Sequence, residues 1–342
     1  MPVETSLARP VTGPITGPVV GRALVAAALL VATLLLPLGA APATAAVGAG
    51  HDAWVGVAVA RLWQSPSSPR AVDAPALARP VRVRAWLAAM TFTQRKALYN
   101  LSDTEALLGE RVHVTSVSGS WAHVVVPDQP SQKDARGYPG WVPLRQLSAT
   151  APPASGSVAS VVRRTTWLRT DSATAGKVSE ISFGTVLPVI AQHTGYVVVR
   201  TPFGGDRRVA ADAVAVHVRG TPALPPTRGS LVATAQSFTG LPYLWGGLSG
   251  FGLDCSGLTW LDYRSHGRRI PRDALPQSRH GTPVARAALR KGDLIFYATR
   301  GLVHHVTMYA GSGRMLEAPH TGSVVRTVPV RSTEYFTARR YL

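Results

Sequence analysis

The chain has 342 residues, 46% of them hydrophobic, a formal charge of +18 and one cysteine. That length allows two or three domains, and the composition excludes a collagenous or wholly disordered polypeptide. A lone cysteine excludes an intrachain disulfide framework. The positive charge is almost all arginine, with Lys96, Lys133, Lys177 and Lys291 as the lysines. A polycation of this kind is drawn to anionic polymers or surfaces, so anionic wall polymers are an expected partner. No zinc-ligand cluster, basic helix or aromatic RNA-binding motif accompanies the charge, so no nucleic acid is expected. The histidines show no ligand spacing, so neither a metal nor another cofactor is expected.

Residues 1–45 read as an export signal. Arg9 and Arg22 precede or open an uninterrupted run of apolar and small residues, Ala23 to Leu38, and Ala43-Thr44-Ala45 supplies a small-residue cleavage pattern. The run is short against the roughly twenty residues of a spanning helix, so no stable membrane span is expected after cleavage. The remainder is expected to be secreted or cell-wall associated. Residues 46–80, rich in Ala, Pro, Ser and Val without a sustained period, read as a linker.

Residues 81–150 read as a first small β-barrel led in by a helix, with Val83, Trp86, Leu87 and Met90 at helical spacing. Arg111–Thr115 and Trp121–Val126 flank a Ser118-Gly119-Ser120 turn, and Gly137-Tyr138-Pro139-Gly140-Trp141-Val142-Pro143 follows. After the hinge at 151–156, residues 155–220 repeat the order of events with Thr166–Arg169, Gly184–Ile190 and Gly195–Arg200, which points to an internal repeat. Residues 221–229, with Pro222, Pro225 and Pro226, read as a second linker. Ser230 is placed to cap a helix through Phe238, opening a third domain over 230–342.

The chemistry concentrates in that third domain. A thiol outside the cytoplasm without a pairing partner calls for a reason to be kept, and a nucleophile aimed by a histidine supplies one. Asp254-Cys255-Ser256-Gly257-Leu258 precedes an apolar spacing, Leu258, Trp260, Leu261 and Tyr263, that suits a buried helix with Cys255 near its N-terminus. Helix N–H groups there would favour thiolate, below the free value of about 8.5, and could hold an oxyanion. Val303–Tyr309 reads as a strand returning through Gly311-Ser312-Gly313 into Arg314–Glu317. His304 and His305 then face opposite sides, and one of them can meet the thiol. An odd-length hairpin loop sets Glu317 on the face of His305, whereas a two-residue loop favours His320 as the orienting residue. Geometry at this level leaves both open.

Pro242-Tyr243-Leu244-Trp245-Gly246-Gly247, Asp254-Cys255-Ser256-Gly257-Leu258, Gly292-Asp293-Leu294-Ile295-Phe296 and His305-Val306-Thr307-Met308-Tyr309-Ala310-Gly311 occur in this order. They resemble the NlpC-type papain-like cysteine peptidases of bacterial cell walls. The two β-modules resemble bacterial SH3-like domains, Gly140-Trp141-Val142-Pro143 being the firmest local likeness. The resemblance implies two small SH3-like β-barrels followed by an α+β papain-like peptidase domain. It places the nucleophile on Cys255, the base on His305 and the third polar residue on Glu317, with Tyr243 beside the nucleophile. The three-domain order is similar to that of γ-D-glutamyl-diamino acid endopeptidases, which trim peptidoglycan stem peptides or wall fragments. In these the first module reads a free N-terminal L-alanine. On that likeness Asp254 and Ser256 meet the substrate amine, and Tyr138 and Glu105 do so from the first module, with Asp103 and Glu110 close to Glu105 in sequence. Two rival readings keep the fold. One is a wall-binding protein with an idle catalytic domain, and the other an amidase or acyltransferase on the same thiol.

Overall fold

The computed structural model describes residues 12–17 and 46–342. Within 1–45 only residues 12–17 are described, and they carry no regular element, so the expected export signal lies outside the described residues. Among the described residues no helix is long and apolar enough to cross a membrane.

Seven short strands build the first module: β1 (Asp52–Val55), β2 (Val59–Trp63), β3 (Ser102–Leu107), β4 (Arg111–Ser118), β5 (Trp121–Val126), β6 (Tyr138–Pro143) and β7 (Leu147–Ser148). They pair in the order β3-β2-β6-β5-β4-β1-β7. The β4–β5 hairpin turns where expected, through Gly119 at φ +54°, with Ser118 opposite Trp121. Val55, Leu62, Val112, Val114, Val124 and Val142 fill the interior. Between β2 and β3 the chain detours through α1 (Ala74–Leu77), α2 (Val83–Ala89) and α3 (Phe92–Lys96).

Residues 46–80 are therefore not a linker, and the first module begins well before residue 81. The reason they read as one is physical. All five residues of β2 are buried, because one face lines the barrel and the other is covered by neighbouring elements, so the polar alternation that marks a strand is missing. The helix expected to lead into the module is instead an insertion within it.

The second module comprises β8 (Ser157–Val161), β9 (Thr165–Thr170), β10 (Lys177–Ser182), β11 (Val186–His193), β12 (Tyr196–Arg200), β13 (Asp206–Ala210) and β14 (Val214–Val218). Its order, β10-β9-β13-β12-β11-β8-β14, is that of the first module strand for strand. The internal repeat is thus complete in topology, and it begins three strands before Arg111–Thr115 in the first copy and one strand before Thr166–Arg169 in the second.

The third domain opens with α4 (Arg228–Ser237), capped by Thr227, whose side chain accepts from the Ser230 backbone N–H. Ser230 is not the cap; its hydroxyl lies 2.8 Å from His266 Nε2. A two-stranded ribbon, β15 (Leu248–Ser249) and β16 (Gly252–Leu253), leads to α5 (Cys255–Ser265) and α6 (Ala274–Arg279). The main sheet follows: β17 (Thr282–Pro283), β18 (Leu294–Thr299), β19 (Leu302–Gly311), β20 (Arg314–Glu317), β21 (Arg326–Pro329) and β22 (Tyr335–Arg340). These pair in the order β17-β22-β18-β19-β20-β21, with α5 against β19. One apolar cluster runs through all three domains, including Trp63 and Trp86, Phe183 and Leu187, and Phe238 and Trp260. Phe183 of the second module meets Phe238 edge to face at 5.1 Å.

Candidate active site

Helix α5 begins at Cys255 because Asp254 caps it: the Asp254 backbone is extended, and its Oδ1 accepts the Gly257 N–H at 2.6 Å. Gly257 has no room for a side chain, since a Cβ there would lie 2.0 Å from the Gly247 carbonyl oxygen. This close approach seats the first turn of α5 against the Gly-rich segment that leads to it.

Cys255 is partly exposed and opens onto a cleft of about 650 Å³. The backbone N–H groups of Val306 and Ser256 face its sulfur. These donors favour the thiolate, but burial followed by the Asp254 charge outweighs them and pushes the thiol up to about 12. The expectation of a depressed thiol is thereby corrected: the helix terminus pulls in the expected direction but does not win. In this resting state the proton has to be removed by a neighbouring base.

The histidine expected to act as that base is next to Val306 in sequence. His305 is buried, and its Nε2 lies 3.0 Å from Glu317 Oε2. The way the hairpin brings them together resolves the alternatives left open by the sequence. Its tip is a two-residue turn, Ser312-Gly313, between paired Gly311 and Arg314. A register shift between Tyr309 and Gly311 adds one residue, so that Tyr309 pairs with Met315 and Met308 with Leu316. The bulge restores odd parity, and Glu317 shares the face of His305. His320 is exposed and its ring is engaged by Thr321 and Ser323. His304 lines the same cleft as Cys255, with its ring 3.6 Å from Glu334.

Glu317 is fully buried and held by three partners. Arg326 donates from Nε and Nη2 to Oε1 at 3.0 and 2.9 Å, and Arg331 donates from Nη1 to Oε2 at 2.9 Å. Burial raises its pKa, but the His305 hydrogen bond and the arginines prevail and hold it at about 2. An ionised carboxylate only accepts, so His305 carries its proton on Nε2 and keeps the Nδ1 lone pair. His305 itself is shifted down, burial being the largest cause and the Glu317 contact opposing it.

The cleft lies between the third domain and the first module. Tyr243, Trp245, Asp254, Cys255, Ser256 and Asp273 line it from one side, and Gln64, Tyr99, Asn100, Asp103, Lys133 and Tyr138 from the other. Tyr138 lines the cleft, and its hydroxyl donates to Asp273 Oδ1 at 3.3 Å. Asp254 and Ser256 are both committed to Arg272, a fully buried arginine. Arg272 Nη2 reaches Asp254 Oδ2 at 2.9 Å, Nη1 reaches Ser256 Oγ at 2.9 Å, and Nε reaches Thr104 Oγ1 at 2.9 Å.

Glu105 is a correction. It does not line the cleft but is sealed between the first module and the third domain, 3.1 Å from Arg61 Nη1, accepting the Leu248 N–H at 3.0 Å. Arg61 in turn donates to Ser102 Oγ at 2.7 Å and to the Trp245 carbonyl. Asp103, two residues earlier and at a register shift in β3, lines the cleft and is paired with Lys133 Nζ at 2.6 Å. Glu110 is buried elsewhere with Arg264 at 2.7 Å. Sequence reasoning also missed Arg272, Asp273, Lys133, Arg326 and Arg331. For Arg272 the one available signal was its place in Ile270-Pro271-Arg272-Asp273, directly after the catalytic-domain helix.

Residues 240–341 match the NlpC/P60 family and residues 161–217 the YKFC SH3b2 domain. A gamma-D-glutamyl-L-lysine dipeptidyl-peptidase from Bacillus subtilis is 40% identical over 283 residues, 81% of this chain and 93% of that protein. A protein of the same name from Bacillus cereus is 37% identical over 302 residues, 85% of this chain and 91% of its own. The crystal structure of an NlpC/P60 family protein from Bacillus cereus superposes with a TM-score of 0.81 at 37% identity, covering 85% of this chain and 99% of that one.

Proposed function

For a chain that belongs to the NlpC/P60 family of cysteine peptidases and carries SH3-like modules before the peptidase domain, we propose hydrolysis of the bond between γ-D-glutamate and a diamino acid in peptidoglycan stem peptides, with a preference for fragments that begin in a free L-alanine. The observation that carries the substrate reading is the cleft itself: the first module walls one side of it and sets Asp103 and Tyr138 near Asp254 and Asp273. Of the three carboxylates on the cleft, Asp254 and Asp103 are paired with Arg272 and Lys133, which leaves one negative charge in excess to suit a substrate ammonium, and a walled cleft suits a released fragment better than a continuous wall strand. The full-length likeness to two gamma-D-glutamyl-L-lysine dipeptidyl-peptidases supports the same bond. Such a substrate implies action outside the cytoplasm, where the chain's positive charge would also meet anionic wall polymers.

In the proposed reaction the Cys255 thiol passes its proton to His305 Nδ1 and the sulfur attacks the γ-carbonyl of D-glutamate. The tetrahedral oxyanion is stabilised by N–H groups at the start of α5. The imidazolium then protonates the leaving amine of the diamino acid, giving a thioester that water hydrolyses with His305 as base. Glu317 fixes the ring and its tautomer throughout.

The test is mass spectrometry of products from L-Ala-γ-D-Glu-L-Lys and its meso-diaminopimelate counterpart, each with a free or acetylated alanine amine. Release of L-Ala-D-Glu from the free-amine peptides alone is expected, with Cys255→Ala lowering turnover by at least about 10³-fold while the fold is retained. Equal cleavage of acetylated peptide would remove the amine preference. Cleavage at another bond, or none, would overturn the substrate assignment.

A further inference from the structure

Glu317 presents a problem that the proposed reaction does not solve by itself. A fully buried carboxylate is costly unless every lone pair is used, and an ionised carboxylate beside a histidine normally raises the imidazole pKa. A permanently protonated His305 could not take the thiol proton. The hairpin that delivers Glu317 also delivers two guanidinium groups, Arg326 from β21 and Arg331 from the segment after it.

Four donors fill the carboxylate's four acceptor positions: Nε and Nη2 of Arg326 on Oε1, and Nη1 of Arg331 and Nε2 of His305 on Oε2. A carboxylate held in this way cannot rotate without breaking charge-assisted bonds. Arg331 shares with His305 the same oxygen, and its guanidinium lies 4.5 Å above the Tyr297 ring, which is itself 6.0 Å from His305. The other group acting on His305 is its neighbour His304 on β19, paired with Glu334, while Cys255 at the start of α5 lies against the backbone N–H of the next residue on that strand, Val306. The two arginines thus bring two positive charges to one negative charge.

We propose that Arg331 and Arg326 are positioning residues for the thiol–imidazole pair: they lock the Glu317 carboxylate against His305 and offset its charge, so that the imidazole rests neutral with Nδ1 ready to accept. The inference rests on the cysteine-peptidase reading of the site. The two arms divide the work. Arg326, with both bonds on Oε1, mainly holds the carboxylate in place. Arg331, on the oxygen that His305 uses, mainly governs the imidazole's charge. Their side chains are 46% and 40% exposed, so the electrostatic part weakens with added salt.

The decisive measurement is NMR titration of the His305 ring in the full chain carrying Cys255→Ala, with and without Arg331→Met. Removing one positive charge while Arg326 still holds Glu317 is expected to raise the His305 midpoint by at least about half a pH unit. Arg331→Lys is expected to move it by less than half as much, and His320, titrated in the same spectra, should not move. An unchanged or lowered His305 midpoint in Arg331→Met overturns the proposal. In the enzyme with its thiol intact, the double variant Arg326→Met/Arg331→Met is expected to lose at least 10-fold in kcat with KM within twofold. A loss confined to KM would assign the arginines to substrate binding instead and overturn it as well. If the double variant does not fold, the single-variant titration decides alone. If the wild type cleaves no stem peptide, the proposed substrate falls while the titration still decides the clamp.

Discussion

The two SH3-like modules share one strand order, yet they serve the cleft unequally, and the pairing registers show where they part. Trp141 and Arg208 occupy equivalent places on β6 and β13, which makes Arg61 equivalent to Trp167 and Glu105 equivalent to Glu180. In the first module that cross-strand pair is a sealed ion pair reaching into the third domain. In the second it is an exposed tryptophan beside a glutamate that binds Arg84, which belongs to the first module's insertion. Likewise Tyr138, on the cleft, corresponds to Gly205 in a turn of the second module. The second module joins β9 to β10 directly, whereas the first spends residues 64–101 on the detour that presents Tyr99 and Asn100 to the cleft. One fold is therefore used once as a cleft wall and once as a buttress, and the difference lies in a few side chains and one insertion.

The sharpest way to break this comparison is at the equivalent glutamates. Glu105→Ala leaves Arg61 buried without its partner, a loss of about 3 kcal/mol or more that should show as a clear fall in Tm and in soluble yield. Glu180→Ala is expected to cost about 1 kcal/mol or less, because Arg84 is largely solvent-exposed. Equal losses would show that the second module's pair is as structural as the first's. At the cleft, Asp103→Asn is expected to raise KM for a free-amine stem peptide about 10-fold, close to 1.4 kcal/mol, without affecting an acetylated one. An equal effect on both peptides would remove Asp103 from amine recognition. Smallest of all, Trp167→Ala should leave kcat/KM on soluble peptide within twofold; a larger change would place the second module in catalysis.

Much of the third domain was legible because its chemistry is written in contiguous motifs. Asp254 through Leu258 placed the lone thiol at a helix start, as the structure has it, while the Asp254 cap and the close approach of Gly257 emerged only from the packed chain. The strand carrying His305 was equally plain. Its partner, Glu317, came from the family resemblance and not from local geometry, because parity across the hairpin hinges on a single bulge between Tyr309 and Gly311 that no local signal marks. The second strand was hidden for a related reason: a strand covered on both faces loses the alternation that betrays it. Glu105 and Asp103 lie two residues apart across a register shift in β3, and nothing local says which will be sealed by Trp245 and Leu248 and which left at the cleft.

The sequence by itself determined the three-domain order from the first module onward, the lone thiol at a helix start, the histidine strand and the strongly basic character of the chain, since each of these depends on residues adjacent or periodic along the chain. Only the tertiary structure decided that residues 52–63 complete the first barrel, that Glu317 and not His320 meets His305, that Arg272 ties up Asp254 and Ser256, and that two arginines close around Glu317. These are meetings between segments distant in sequence or across a bulged turn, and their outcome depends on burial and on competition for a limited number of hydrogen-bond positions, quantities that exist only once the chain is packed.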